Sequence, residues 1–487
     1  MSSQHKATET QETIEHYDSL VEQMTPEGPS VGHLRVVHRA DGVDEGVAFT
    51  LRYGEYVLGR SSGHSLEHQT IVLPDRGISR KHLHINRRLS GTTIRDLESR
   101  NGSFLNGRPV PKQWVSLRDG DVIRVGDSLL IYRDSDPHEG PWSDPFLPGH
   151  APKIVYARKR IHQIARHRVP LLILGETGTG KEFAARAVHE MAGKPGGAFV
   201  PVNCGELTRG VSRAELFGRE AGAYTDAKTR QHGLVTQAHQ GTLFLDEIGD
   251  LDAEVQVELI RFLQDGGYRR VGGEGQLHAD VRVVAATNVP LEQAVADGQF
   301  RQDLLARLRA PVAPVRLPPL RERREDILSW ARTFIHEEAQ RFELQAPRWN
   351  AGFAECLLIH NWSDNLRGLR MAIGTALLEC EGAYTLEAKH LSEELSSGRR
   401  TARRNPLHSR VPMVSVPPSV GKPDADTVIA VLKETQGVMK AAAAVMGIDR
   451  RKLYRLCEEY DIDYGGYRGD PEVMTQHPSG EFHESQT

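Results

Sequence analysis

The stretch LLILGETGTGKE, residues 171–182, constrains this chain more than any other. Four apolar residues run into a turn carrying Gly175, Gly178 and Gly180, and Lys181 then opens the helical pattern EFAARAVHEMA. A short apolar strand followed at once by a glycine turn and a helix belongs to a βα unit of a buried parallel sheet. Glycines let backbone N–H groups converge on phosphate oxygens, the helix N-terminus adds its positive end, and a lysine here reaches the β and γ phosphates. The expected ligand is ATP, held by Gly175, Glu176, Thr177, Gly178, Thr179, Gly180, Lys181 and Glu182. Glu182 occupies the place where a Ser or Thr ordinarily ligates Mg²⁺, so the metal must lean on other oxygens. The second apolar run, GTLFLDEIGDL, ends in such a pair: Asp246 to orient Mg²⁺ through water, and Glu247 to polarise the attacking water. A third run, VRVVAATN, ends in Asn288, which can hydrogen-bond that water or the γ phosphate, with capping as its plainer role.

The rest of the chain divides around this unit. At roughly 100–200 residues per domain, 487 residues make about three domains, and 39% hydrophobic content gives each a core. Residues 31–134 alternate in short runs such as HLRVVHRA and TTIRDL, separated by turn pairs at Asn106-Gly107 and Asp119-Gly120, and predict an all-β sandwich. Five prolines in 134–152 without apolar periodicity mark a linker over 135–152. The α/β ATPase subdomain spans 153–330, a helical lid subdomain 331–395, a Ser/Pro/Arg-rich linker 396–425 and a small all-α unit 426–463. Residues 1–30 and 464–487 are polar and read as disordered.

A net charge of -4 gives no global field for nucleic acid or membrane, so any basic surface is local. Cys204, Cys356, Cys380 and Cys457 lack zinc or disulfide spacing, and no run approaches a membrane span or signal peptide, which places the chain in the cytoplasm, without a membrane partner.

From about Leu147 to Leu395 the residues closely resemble the AAA+ domain of bacterial enhancer-binding proteins that activate the sigma-54 form of RNA polymerase. GETGTGKE, FVPVNCGEL, AELFGREAGAYTDA, GTLFLDEIGDL, VRVVAATN, FRQDLLARL and LPPLRERREDI carry the likeness. In that family Glu after the lysine is usual. The resemblance makes Asn203 the switch partner that holds Glu247 until ATP engages, and sends Arg301 and Arg307 to the γ phosphate of a neighbouring subunit in a homo-oligomeric, hexameric ring. Arg367, in NWSDNLRGLR, maps to the nucleotide-sensing arginine, although Ser363, Asp364 and Gly368 depart from the family pattern. GAYTDA maps to the loop that grips sigma-54, with Tyr224 as the exposed aromatic, Thr225 beside it, and Asp226 where the family has Gly.

In the sandwich, YVLGRSS, ISRKHLHI and RNGSFLNGRPV resemble a forkhead-associated domain, a reader of phosphothreonine. A phosphate of charge about -2 needs a cation and short donors. Arg60 offers the fork, Ser79 a hydroxyl, Arg80 assistance and Asn101 a hold on the peptide backbone, while His82 is expected to be a buried residue that shapes the loops. At the other end AAAAVMGIDRRKLYRL fits a helix-turn-helix and resembles the Fis-type module, with Arg450, Arg451, Lys452 and Arg455 toward upstream enhancer DNA; a dimerisation hairpin is the alternative. Together these imply an ATP-dependent activator that remodels the closed complex of the sigma-54 holoenzyme. Control comes through a phosphothreonine protein, or its own phosphorylated segment, and a Ser/Thr kinase. The competing class is a phosphoprotein-responsive DNA-binding adaptor or repressor whose ring is decoupled from sigma-54 by Asp226.

Overall fold

The computed structural model describes residues 31–39, 45–61, 69–88, 90–134, 144–192, 197–208, 210–223, 229–310, 312–380, 382–396, 425–434, 439, 442–443 and 450–464. The expected terminal segments, most of the second linker, and Tyr224, Thr225 and Asp226 lie outside them.

Alternating apolar residues build eleven strands into the expected sandwich. They are β1 (Gly32–His38), β2 (Ala48–Leu51), β3 (Gly54–Gly59), β4 (Gln69–Val72), β5 (Leu83–Arg88), β6 (Gly91–Asp96), β7 (Ser103–Leu105), β8 (Arg108–Pro109), β9 (Val115–Ser116), β10 (Val122–Val125) and β11 (Ser128–Arg133). One sheet runs β2-β1-β11-β10-β7-β8 and the other β4-β3-β5-β6-β9. Leu34, Val36, Leu58, Ile85, Ile94, Ile123 and Leu130 fill the space between them. The β7–β8 hairpin turns at Asn106 and Gly107, both at positive φ, as the Asn-Gly pair predicts.

The central domain is a five-stranded parallel sheet in the order β13-β14-β15-β12-β16, where β12 is Leu171–Leu174, β13 Phe199–Asn203, β14 Thr242–Asp246, β15 Arg282–Thr287 and β16 Val315–Arg316. Helices α1 (Pro152–Ala165) and α2 (Lys181–Glu190) cover one face, and α3 (Ala253–Asp265) and α4 (Gln302–Arg309) the other. Their apolar stripes make two separate cores on opposite faces of the sheet. Register sets Asn203 opposite Asp246 at the carboxyl edge, where β12 also delivers its glycine turn.

The lid follows as α5 (Ile327–Arg341), α6 (Ala351–Ile359) and α7 (Asn365–Glu379). It opens earlier than the sequence suggests: two 3₁₀ turns, Leu320–Glu322 and Arg324–Asp326, already pack against it. The first linker also differs from expectation. Its second half is packed, with Leu147 and Ala151 in the core beside α1 and Asp144 accepting hydrogen bonds from the N–H groups of Phe146 and Leu147. Prolines here punctuate an ordered turn rather than a tether, and Pro152 takes the first turn of α1, where a missing N–H costs nothing.

The sandwich is seated on the lid. Val122, Leu129 and Ile131, pointing away from the sandwich core, are buried in one cluster with Phe353, Leu357 and Leu328 of the lid. Helix α6, AGFAECLLI, is apolar nearly all round, as befits a helix covered on both sides. Arg133 forks onto Glu325, Arg124 bonds Glu355 at 2.9 Å, Arg324 donates to the Gly120 carbonyl at 3.0 Å, and Arg332 reaches Glu45 at 2.8 Å on the rim. Among the described residues no helix is long and apolar enough to cross a membrane, and Cys204, Cys356, Cys380 and Cys457 are buried and outside any disulfide.

Asp326 is fully buried beneath this seat. One carboxylate oxygen accepts from the N–H groups of His150 and Ala151, just ahead of α1, and the other has no hydrogen-bond partner among the described residues. Burial first, and then the neighbouring Glu325, push its carboxyl up to about 7. The unfolded chain ionises this group near 3.8, so the folded state holds more protons between 3.8 and about 7, and stability falls as pH rises through that window. Asp326→Asn keeps an accepting oxygen without the charge. Thermal unfolding of the variant should match the native protein near pH 4 and exceed it by about 1–3 kcal/mol at pH 8. An equal offset at both pH values would mean that the folded carboxyl is ionised throughout.

Candidate functional site

The glycine turn after β12 is shaped by contacts that only glycine permits. Gly178 and Gly180 have φ of 76° and 102°, and a Cβ on Gly178 would run into the Asp364 carbonyl. Thr179 turns inward and donates to the Glu176 carbonyl at 2.8 Å. Lys181, at the first turn of α2, is 5% exposed and lies in the bend: its Nζ donates to the Gly175 carbonyl and to Glu247 Oε1, both at 3.2 Å. Glu182 faces outward and pairs with Arg186 one turn on, at 2.8 Å.

The carboxyl edge of the sheet brings the predicted catalytic set to this turn. Glu247 follows β14 in the left-handed region, φ 51°, a conformation that costs a non-glycine residue and aims its carboxylate back across the strand ends. Its second oxygen accepts from the Asn288 N–H at 3.1 Å, and the Asn288 amide reaches Thr177 Oγ1 at 2.8 Å. Burial, outweighing the attraction of nearby Lys181, raises the Asp246 carboxyl above the ordinary range. Asp246, Glu247, Asn288 and Lys181 therefore converge. Asn203 stands opposite Asp246 in the sheet, yet its carboxamide bonds Glu206 Oε1 at 2.7 Å and accepts from the Gly205 N–H. The carboxylate is held by Lys181 and by Asn288, not by Asn203.

Sequence reasoning missed the residues by which the lid holds this turn. Arg321 forks onto Glu176 at 2.5 and 2.8 Å, and Arg323, 2% exposed, donates to the Thr179 carbonyl at 2.7 Å. Asn365 is fully buried at φ 51°, accepts from the Leu320 N–H at 2.6 Å and donates to the Thr177 carbonyl at 2.9 Å. Asn365 sits inside NWSDNLRGLR, two residues before Arg367; an asparagine just before a helical run was the available signal. Arg367 is exposed beside Gly178, with its Cβ 3.4 Å from where a Gly178 Cβ would lie.

Arg301 caps α4 and pairs with Asp303 at 2.9 Å, whereas Arg307 is exposed further along the helix. The segment containing Tyr224, Thr225 and Asp226 leaves from an antiparallel stem of Gly218–Arg219 with Gln231–His232.

In the sandwich three loops meet at one end. Gly59 passes so close to the Arg80 carbonyl that no side chain fits, which sets Arg60 beside Ser79 and Arg80. Ser79 Oγ accepts from the Arg100 N–H at 3.1 Å, and Asn101 donates to the Gly77 carbonyl at 2.8 Å. Beneath them His82 is fully buried, with Nδ1 accepting from the Ser79 N–H at 3.0 Å and Nε2 3.2 Å from the Gly102 carbonyl; burial holds its pKa below the usual range. Arg60, Arg80 and Asn101 remain exposed, so a cationic, donor-rich surface is presented.

At the far end, helices α8 (Ala425–Glu434) and α9 (Arg450–Glu459) share a small core with Met439 and Ala442. Arg451, Lys452 and Arg455 are exposed opposite the buried Leu453, Leu456 and Cys457; the Arg450 side chain lies outside what the structure describes.

Three family models match: the Sigma-54 interaction domain over residues 147–313, the FHA domain over 56–126, and the AAA+ ATPase lid domain over 321–407. The chain is 38% identical over 320 residues to the alginate biosynthesis transcriptional regulatory protein AlgB of Pseudomonas syringae pv. tomato, covering 65% of this chain and 67% of that protein. It is 34% identical over 323 residues to the nitrogen fixation protein VnfA of Azotobacter vinelandii, covering 66% of this chain and 60% of the relative. It is 43% identical over 231 residues to the sigma54-dependent transcriptional activator SfnR of Pseudomonas putida, covering 47% and 62%. A convergent phosphate-binding turn, acid pair and lid on a parallel sheet, with matches of this extent, establish that the chain belongs to the sigma-54-dependent transcriptional activators, with an FHA sandwich ahead of an AAA+ ATPase domain.

Proposed function

We propose that this protein hydrolyses ATP to remodel the closed complex of sigma-54 RNA polymerase from upstream DNA, under the control of a phosphothreonine ligand at the sandwich loops. The pairing of Lys181 with Glu247 carries this reading. A triphosphate entering the glycine turn offers Lys181 a better anion, which releases the Glu247 carboxylate to polarise a water held near Asn288. Mg²⁺ fits the donor set, since Asp246 and Glu247 are two carboxylates at the strand end beside the phosphate turn and Glu182 is engaged by Arg186. Asp246 would hold the metal through water, and the metal would neutralise charge on the β and γ phosphates.

Arg301 caps α4 and Arg307 lies on it; in a hexameric ring they would reach the γ phosphate of the neighbouring subunit, with Arg367 sensing the nucleotide from the lid. Tyr224, Thr225 and Asp226 would engage sigma-54 from the end of their two-stranded stem. The exposed Arg451, Lys452 and Arg455, together with Arg450, would contact upstream DNA. A Ser/Thr kinase would supply the phosphothreonine, on a partner protein or on this chain.

Transcription from a sigma-54 promoter with purified components tests the whole reading: ATP-dependent opening is expected, and its complete absence, with ATPase activity intact, would favour a decoupled adaptor. Within the ATP site, Lys181→Ala should lose ATP binding. Glu247→Ala should bind ATP at least as tightly as the native protein, because it frees Lys181, and should not turn over. Titration with an ATP analogue and a phosphate-release assay separate the two. For the sandwich, Arg60→Ala should weaken phosphothreonine peptides by about 10- to 100-fold, from the loss of charge-assisted hydrogen bonds of about 1.5–3 kcal/mol each. Calorimetric titration with paired phosphorylated and unphosphorylated peptides reads this directly.

A further inference from the structure

Seven residues, LRERRED at 320–326, touch the phosphate turn and the sandwich at the same time. Toward the turn, Arg321 holds Glu176, Arg323 holds the Thr179 carbonyl, and the Leu320 N–H is tied to Asn365, which holds the Thr177 carbonyl. Toward the sandwich, Arg324 donates to the Gly120 carbonyl, Glu325 receives the fork of Arg133, and the Glu322 carbonyl accepts from Arg133 at 3.3 Å. The two sets are interleaved along two successive 3₁₀ turns joined at Arg323. Arg323, Glu325 and Asp326 are each nine-tenths buried or more. Arg323 and Glu325 stand two residues apart on this buried segment, and close packing leaves little room for one to shift without the other.

We propose that Arg321 and Arg323 are positioning residues for the phosphate turn, and that Arg133 of the sandwich completes the same device by fixing Glu325. The seat of the sandwich thereby sets nucleotide affinity, although among the described residues no sandwich side chain is hydrogen-bonded to residues 175–182. Arg60, Arg80 and Asn101 stay exposed while the sandwich is seated, so a phosphopeptide binds without competing for the lid. By linkage, nucleotide binding must tighten the seat by the same factor as the seat tightens nucleotide binding. This inference rests on residues 175–182 being the nucleotide site.

The test uses the full chain and ADP as the probe. Arg133→Met and Arg321→Met should each weaken ADP binding about fivefold or more, and the double variant should be no weaker than the stronger single one. Glu45→Arg sets a like charge against Arg332 at the exposed rim of the seat and should weaken ADP binding in the same direction; it keeps the test open if Arg133→Met does not fold. In the native protein, saturating ADP should slow amide exchange across residues 119–133, and in Arg321→Met it should not. ADP affinity within twofold of native in both sandwich variants, or additive effects of Arg133→Met and Arg321→Met, overturns the proposal. Lys181→Ala separates the two layers. If it abolishes ADP binding while the sandwich variants bind normally, only the link to the sandwich fails; native affinity in Lys181→Ala removes the site itself.

Discussion

The ion pair between Arg133 and Glu325 is buried on both sides, and the arrangement of the three folded bodies depends on it. Removing two charges from water costs several kcal/mol per ion, so such a pair adds little net stability over well-packed apolar residues. What it does supply is register. Val122, Leu129 and Ile131 would pack against many apolar surfaces, whereas a guanidinium forked onto Glu325 fixes that carboxylate in one orientation. Burial by itself would lower the affinity of Arg133 for its proton, yet Glu325 and Asp119 together hold it above the ordinary arginine value, which is the mark of a charge fully matched by its surroundings. The lid is thus defined by two partners, the sandwich on one side and the phosphate turn on the other.

Conformational strain is stored around the phosphate turn, where chemistry is expected. Glu247, Trp362 and Asn365 all sit in the left-handed region that non-glycine residues avoid, and each is tied down by its neighbours. Lys181 and Asn288 hold Glu247, the Trp362 indole N–H donates to the Leu357 carbonyl at 2.8 Å, and Asn365 bonds on both sides. Strain persists only when the surrounding structure over-determines it. Here the surroundings come from both the sheet and the lid, so the strained residues lie where the two bodies meet.

Local signals were legible in the sequence and long-range ones were not. The turn after β12 announced itself because strand, glycines, lysine and helix are contiguous. The loops bearing Arg60, Ser79 and Asn101 were readable because turn residues flank short alternating strands. Arg321, Arg323 and Asn365 were hidden, since nothing within a few residues of them shows that their partners in the phosphate turn lie more than 140 positions away. One longer-range signal was present and went unread. Leu129, Leu130, Ile131 and Tyr132 are four consecutive apolar residues, where a strand of a sandwich with one solvated face should alternate. A strand covered on both faces reads in this way, and the lid supplies the second cover. The prolines at 145, 148 and 152 misled for the opposite reason, since proline fixes φ equally well in a packed turn and in a tether.

The two arginines of α4 are not equivalent. Arg301 is committed, with its guanidinium on Asp303 and its N–H donating to Gln256 at 2.9 Å, so the residue is fixed at the helix start by both backbone and side chain. To reach a phosphate elsewhere it would have to exchange Asp303 for that anion. Arg307 lies one and a half turns along the same helix, exposed, and has no ion-pair partner among the described residues. A cation that must meet charge developing on a neighbouring subunit is most effective when it surrenders nothing on arrival, because every bond it gives up is subtracted from the stabilisation it brings. On that ground Arg307 is, under the proposed function, the readier of the two to act across an interface, and Arg301 is suited to fixing the position from which it would act.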